Sequence, residues 1–207
     1  MKLFHPTYFP SIYQFALMME DGKIEFEIFD NFQKQTYRNR CYIYGANGKQ
    51  LLNVPIQKIS GKKQLIKDVK IDYKSNWHSE HLKSLYSAYS SSPFFEYYID
   101  DLKSIFENKE KFLLDLNIKI FYKIQDALEL KIKFKKTSEY NTENVDYDFR
   151  YLVNAKAKLF IDFPKYTQVF DSKYNFISNL SILDLLFMEG PASVIYLDDI
   201  LSLKNKV

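Results

Sequence analysis

Three short segments hold the side chains best suited to chemistry. The first is His5-Pro6-Thr7-Tyr8-Phe9-Pro10. Imidazole exchanges protons near neutral pH more readily than any other side chain. Each proline fixes its own φ and biases the preceding residue toward extended geometry. The segment therefore reads as a rigid loop presenting His5 and Tyr8 to a ligand, or as a proline-shaped turn with aromatics packed beneath it. The second segment is Arg38-Asn39-Arg40. On a strand, alternation puts Arg38 and Arg40 on one face and Asn39 on the other. Two adjacent guanidiniums suit a phosphate or carboxylate gripped bidentately. The alternative is an edge strand whose arginines pair with Asp30 or Glu25. The third is Trp77-His78-Ser79-Glu80-His81, where the i, i+3 spacing sets both histidines on one helical face. His81 reads as a pocket residue beside Trp77, or as a packing residue whose polar tip is satisfied.

Other chemistries find less support. The one further histidine is His5 and there is no cysteine cluster, which falls short of the ligand set zinc requires, so no metal site is expected. Cys41 follows Arg40, but alternation places the two on opposite faces, and a lone cysteine in an apolar strand reads as core. No G-x-G-x-x-G, P-loop or G-x-S-x-G motif occurs. The pairs Asp100-Asp101 and Asp198-Asp199 read as solvated faces or caps.

These residues need elements to hold them. Residues 2–5 read as a strand running into the proline loop, and Ser11 caps a helix through Ile12, Phe15, Ala16 and Met19. The junction of strand, loop and helix N-terminus is a common anion site, because unpaired N–H groups converge there. Residues 24–29 alternate, with Ile24, Phe26 and Ile28 on one face and Glu25 and Glu27 on the other, a strand pattern. Residues 38–45 and 50–56 form a hairpin around Asn47-Gly48. A further strand is expected near 64–71. Helices follow: one from Trp77 capped by Ser75 or Asn76, one with Pro93 at its first position, and one over 109–127. A strand at 131–136 precedes a polar, irregular stretch over 137–155. The segment 179–187, opening Asn179-Leu180-Ser181, reads as a capped helix stopped by Gly190-Pro191. The expected fold is α/β: an N-terminal strand-loop-helix unit with a mixed sheet including a hairpin, flanked by helices. One domain over 1–207 is expected, with a helical C-terminal subregion about 137–207.

The chain has 207 residues and a formal charge of +3 from 29 basic and 26 acidic residues, with the signs interspersed along it. A nucleic-acid binder carries a larger, segregated excess, so that class is excluded, while small anionic substrates such as a nucleotide or sugar nucleotide fit. One cysteine permits no intrachain disulfide. His5, Pro6 and Pro10 break the apolar run a signal peptide needs, and no stretch reaches the ~18 apolar residues of a membrane helix. A cytoplasmic protein without a membrane span is expected. No cofactor and no oligomeric state can be read.

Taken in order, several markers resemble the WbqC-like family. They are Pro6-Thr7-Tyr8-Phe9-Pro10, Asp30-Asn31-Phe32-Gln33-Lys34, Arg38-Asn39-Arg40, Leu52-Asn53-Val54-Pro55-Ile56, Trp77 with His81, Tyr89 before Pro93-Phe94-Phe95, and Asn179-Leu180-Ser181 leading into Asp184-Leu185-Leu186. The resemblance implies a bacterial transferase acting in O-antigen or other surface polysaccharide biosynthesis. It would move a small acyl or aminoacyl group, a glycyl group having been suggested, onto an activated sugar. His81 and His5 are then the catalytic candidates. Tyr8, Asp30, Gln33, Arg38, Asn39, Arg40 and Trp77 are the substrate-binding ones. Many members carry glutamine where this chain has His5, which moves its expected role from general base toward ligand hydrogen bonding. A fainter likeness to Rossmann-like nucleotidyltransferases gives a nucleotide-binding alternative. A non-catalytic partner in a biosynthetic complex, using aromatic-rich helices as its contact surface, is another.

Overall fold

The computed structural model describes residues 1–57, 63–140, 147–157, 159 and 161–204. Its strands are β1 (Lys2–Phe4), β2 (Lys23–Phe26), β3 (Arg40–Gly45), β4 (Gly48–Asn53) and β5 (Lys133–Lys136). Its helices are α1 (Ile12–Met19), α2 (Trp77–Tyr89), α3 (Phe95–Glu107), α4 (Leu113–Ala127), α5 (Asp171–Tyr174), α6 (Ile182–Glu189) and α7 (Ser193–Lys204). The fold is α/β as expected. A parallel sheet runs in the order β1-β2-β5, and β3 and β4 form an antiparallel hairpin. A parallel bridge from Leu3 to Asp148 adds a fourth segment on the free side of β1. There the Leu3 amide donates to the Tyr147 carbonyl at 3.0 Å and the Phe149 amide donates to the Leu3 carbonyl at 2.9 Å. All four segments point the same way, so the residues after them gather at one edge.

α1 is apolar on every side, and all residues from Ile12 to Met18 are buried, the pattern of a helix central to a core. Ser11 caps it in extended geometry, its hydroxyl accepting from the Gln14 amide at 3.4 Å. The apolar cluster around it reaches from Phe4 to Leu201 and includes α6 and α7. The hairpin turns on Ala46-Asn47, with Gly48 taking a positive φ of 92° as its strand begins.

Several local expectations are corrected. The strand expected near 64–71 is a 3-10 turn at Ile66–Asp68 flanked by single bridges. Its buried residues Ile66, Val69 and Ile71 do not follow a period of two. Pro93 does not open α3. It lies in the preceding turn, where the Phe94 amide donates to the Phe187 carbonyl at 3.0 Å and ties that turn to α6. The cap of α6 is Ser181, whose hydroxyl accepts from the Leu183 amide at 3.3 Å. Asn179 instead sits at φ 52° and its Oδ1 accepts from the Tyr13 amide at 2.9 Å. Gly190 stops α6 as expected: its φ is 53°, and a Cβ there would meet the Phe94 ring at 2.5 Å. Glu27 does not face solvent, because β2 ends at Phe26 and the chain turns its carboxylate inward.

Candidate functional site

His5, Glu27 and Thr137 follow directly on β1, β2 and β5, at the carboxyl edge where open parallel sheets bind ligands. His5 is 2% exposed and Arg38 is 1% exposed. Arg38 Nη2 lies 2.7 Å from His5 Nε2 and donates to Asp30 Oδ2 at 2.7 Å, while His5 Nε2 is 3.2 Å from that same oxygen. Nε2 cannot both accept from Arg38 and donate to Asp30. Arginine is an obligate donor and makes the shorter contact, so Nε2 accepts and Nδ1 carries the hydrogen. Burial lowers the His5 pKa and the Arg38 charge reinforces this, while the nearby Asp30 carboxylate opposes it. The imidazole is therefore neutral at pH 7. Burial alone would raise the Asp30 pKa, but the contacts from His5, Arg38 and the Asn31 amide hold it below the usual carboxylate range.

A second ring of charge surrounds this trio. Glu27 is fully buried; its Oε1 accepts from the Phe29 amide at 2.7 Å and the Thr137 hydroxyl at 3.1 Å. Its Oε2 accepts from Arg150 Nη1 at 3.4 Å. Arg150 forks onto Asp148, with Nε 3.0 Å from both carboxylate oxygens and Nη2 2.7 Å from Oδ2. Burial pushes the Asp148 pKa up, but the Arg150 bonds more than reverse that.

The loop is clamped from outside the motif. Asn117 Nδ2, on α4, donates to the Pro6 carbonyl at 3.1 Å and the Arg38 carbonyl at 2.8 Å. Gln14 Nε2 donates to the His5 carbonyl at 3.0 Å, and the Tyr8 amide donates to the Tyr37 carbonyl at 3.0 Å. Three buried polar atoms of this region have no hydrogen-bond partner among the described residues: His5 Nδ1, Arg38 Nε and Asn117 Oδ1. Buried polar groups are nearly always paired, so two donors and one acceptor left over set this region apart from the packed core around it.

The far end of the same loop enters a second cluster. Tyr8 donates its hydroxyl to His81 Nδ1 at 2.8 Å, and Trp77 packs edge-on against His81 with centroids 5.2 Å apart. Burial pushes the His81 pKa down to about 4, against the opposing effect of a hydrogen bond to the Asn53 backbone. Tyr8 is raised well above its ordinary value by burial. This pair is neutral across the physiological range.

The sequence matches the model of the WbqC-like protein family over residues 5–161. The chain belongs to the WbqC-like family. The matched span opens on His5 and extends beyond Arg150, so both clusters lie inside it, whereas α6 and α7 lie outside. No curated protein and no solved structure matches the chain. Among the described residues no helix is long and apolar enough to cross a membrane, and no group of three His, Cys, Asp or Glu could hold a metal ion.

Within this WbqC-like chain, the expected site residues divide. His5, Asp30 and Arg38 form one cluster; Tyr8, Trp77 and His81 form the other. Arg38 and Arg40 do not share a strand face, because β3 starts at Arg40 and Arg38 lies in the preceding turn. Arg38 takes the Asp30 pairing, whereas Arg40 has no carboxylate within 4 Å among the described residues. Asn39 Nδ2 donates to the Val54 carbonyl at 2.9 Å and to Asn53 Oδ1 at 3.3 Å. Gln33 is exposed, and its carbonyl accepts from the Thr36 hydroxyl at 3.0 Å. Cys41 is buried in the core, where burial raises its thiol pKa.

The anion cradle expected at the N-terminus of α1 is occupied by protein. The Ile12 amide donates to the Leu180 carbonyl at 2.9 Å, the Tyr13 amide to Asn179 and the Gln14 amide to Ser11. That removes the phosphate-binding element on which the nucleotidyltransferase likeness rested. The residues that sequence reasoning missed are Glu27, Thr137, Asp148, Arg150 and Asn117. Position just past a strand was the available signal for Glu27 and Thr137.

Proposed function

We propose that this WbqC-like protein is a transferase that moves a small acyl or aminoacyl group onto a nucleotide- or lipid-linked sugar in surface polysaccharide biosynthesis. Its centre is the His5–Asp30–Arg38 cluster. The observation that carries the reading is a neutral His5 with Nε2 held by Arg38 and Nδ1–H uncommitted at the carboxyl edge of the sheet. A donor fixed in a buried site, with a cation behind it, stabilises the negative charge that grows on an acyl oxygen under attack. His5 acts here as a hydrogen-bond donor, a role glutamine can also fill. Asp30 sets the direction of Arg38. Tyr8, held by His81 and Trp77, closes the other end of the loop. Arg40, with Asn39 and Gln33 near it in the chain, takes the anionic part of the sugar substrate.

Calorimetric titration of a panel of nucleotide sugars into the wild-type chain and into His5→Gln and His5→Leu tests this. Binding that persists in His5→Gln and weakens about tenfold, ~1.4 kcal/mol, in His5→Leu supports it. Equal binding by His5→Leu and wild type, or no heat with any member of the panel, overturns it.

A further inference from the structure

The chain carries a net positive charge, yet acids line two hollows that border the start of α7. A groove of about 380 Å³ is lined by Tyr97, Tyr98, Leu128, Pro191 and Val194 together with Asp101, Asp126 and Glu129. On the other side of the start of α7 a hollow of about 480 Å³ is lined by Asp171, Glu189 and Asp199 against one lysine, Lys165. None of these six carboxylates forms an ion pair among the described residues. Tyr97, in the first, is 75% exposed and Ile195, bordering the second, is 66% exposed. Uncompensated like charges repel one another and weaken a fold, and large apolar side chains in water gain nothing by folding. Both features are relieved by one kind of occupant.

We propose that this face, built from α3, the end of α4 and the start of α7, docks a partner protein through a basic amphipathic segment. Lysines or arginines of that segment meet the carboxylates of the two hollows, and its apolar side chains seat against Tyr97 and Ile195. Exposed tyrosine flanked by charge is a frequent anchor in such interfaces. The face stands apart from the His5 cluster, and α7 lies beyond the family match.

The test uses a fluorescein-labelled 16-residue peptide with leucine and lysine at helical spacing, a glutamate version of it, and a lysine peptide lacking leucine. Anisotropy is followed with the full chain at low and high salt. The expected result is saturable binding of the leucine-lysine peptide alone, weakened by salt. Asp126→Lys/Glu129→Lys and Ile195→Asp should each weaken it at least tenfold, whereas Asp68→Lys leaves it unchanged. Asp101→Lys/Asp199→Lys stands in for any variant whose thermal melt departs from wild type. No binding, equal binding by the peptide lacking leucine, or insensitivity to the patch variants overturns the proposal. So does burial of this face by self-association in sedimentation.

Discussion

Two buried carboxylate clusters lie in this molecule, and they are built on opposite principles. Asp184 on α6 is fully buried and meets only neutral donors: Tyr89 at 2.7 Å on one oxygen, Tyr166 at 2.5 Å and Gln168 at 2.9 Å on the other. Those donors are themselves engaged, since the Tyr89 hydroxyl accepts from the Tyr44 amide at 2.9 Å and Gln168 Oε1 accepts from the Ile177 amide at 2.8 Å. Burial raises the Asp184 pKa despite these bonds. Asp30 meets a guanidinium and an imidazole, has its pKa lowered, and lies among atoms left unpaired. A closed network of neutral donors fastens α2, α6 and the segment around Tyr166. A charged network with spare donors is the one on which the proposed function rests.

Arg38→Met is the most severe way to break this contrast. It leaves Asp30 without its cation in a largely buried setting and should cost about 3–5 kcal/mol in urea unfolding. Next in size is the response to acid. The folded pKa of His81 is depressed to about 4, so its contribution is full above about 6.5 and is lost as pH falls toward that folded value. Stability should drop by about 3 kcal/mol over that window, and His81→Leu should flatten the drop. Asp184→Leu leaves three donors unpaired and should cost about 2–3 kcal/mol. The two carboxylates also oppose each other in acid. Asp30, depressed, stabilises above its unfolded pKa and loses that as pH falls through its folded value. Asp184, raised, contributes fully below its unfolded pKa and loses that as pH climbs through its folded value. Asp30→Asn and Asp184→Asn should therefore tilt the acid limb of the stability curve in opposite senses. Slopes of the same sign would erase the distinction. The smallest effect is expected from Asn117→Ala, at about 1–2 kcal/mol, accompanied by a shift in the His5 titration followed by NMR as Pro6 and Arg38 lose their common donor.

The sequence made α1, the hairpin and α2 legible because each is announced locally, by Ser11 before an apolar run, by the turn at Asn47-Gly48, and by the spacing of Trp77, His81 and Leu85. His5, Asp30 and Arg38 could be named as candidates from their types. Their assembly could not, because Arg38 lies in a turn where strand alternation gives the wrong direction. Arg150 and Asp148 lie in a polar stretch joined to the sheet by a bridge to Leu3, a contact between residues 145 positions apart. The burial of Asp184 is signalled by the apolar run Ile182 to Met188 around it, but its partners were not legible, because its donors Tyr89 and Tyr166 belong to other segments.

Trp77 is the chain's single tryptophan, and it lies against His81 at the end of the proline loop. All indole emission therefore comes from one place, in edge-on contact with the Tyr8 ring at 6.5 Å between centroids. Protonation of His81 should quench that emission, and a rearrangement of the loop should shift its colour, both read in a fluorescence titration between about pH 7 and 4. The protein thus carries its own optical gauge of the second cluster, readable in the unlabelled wild-type chain.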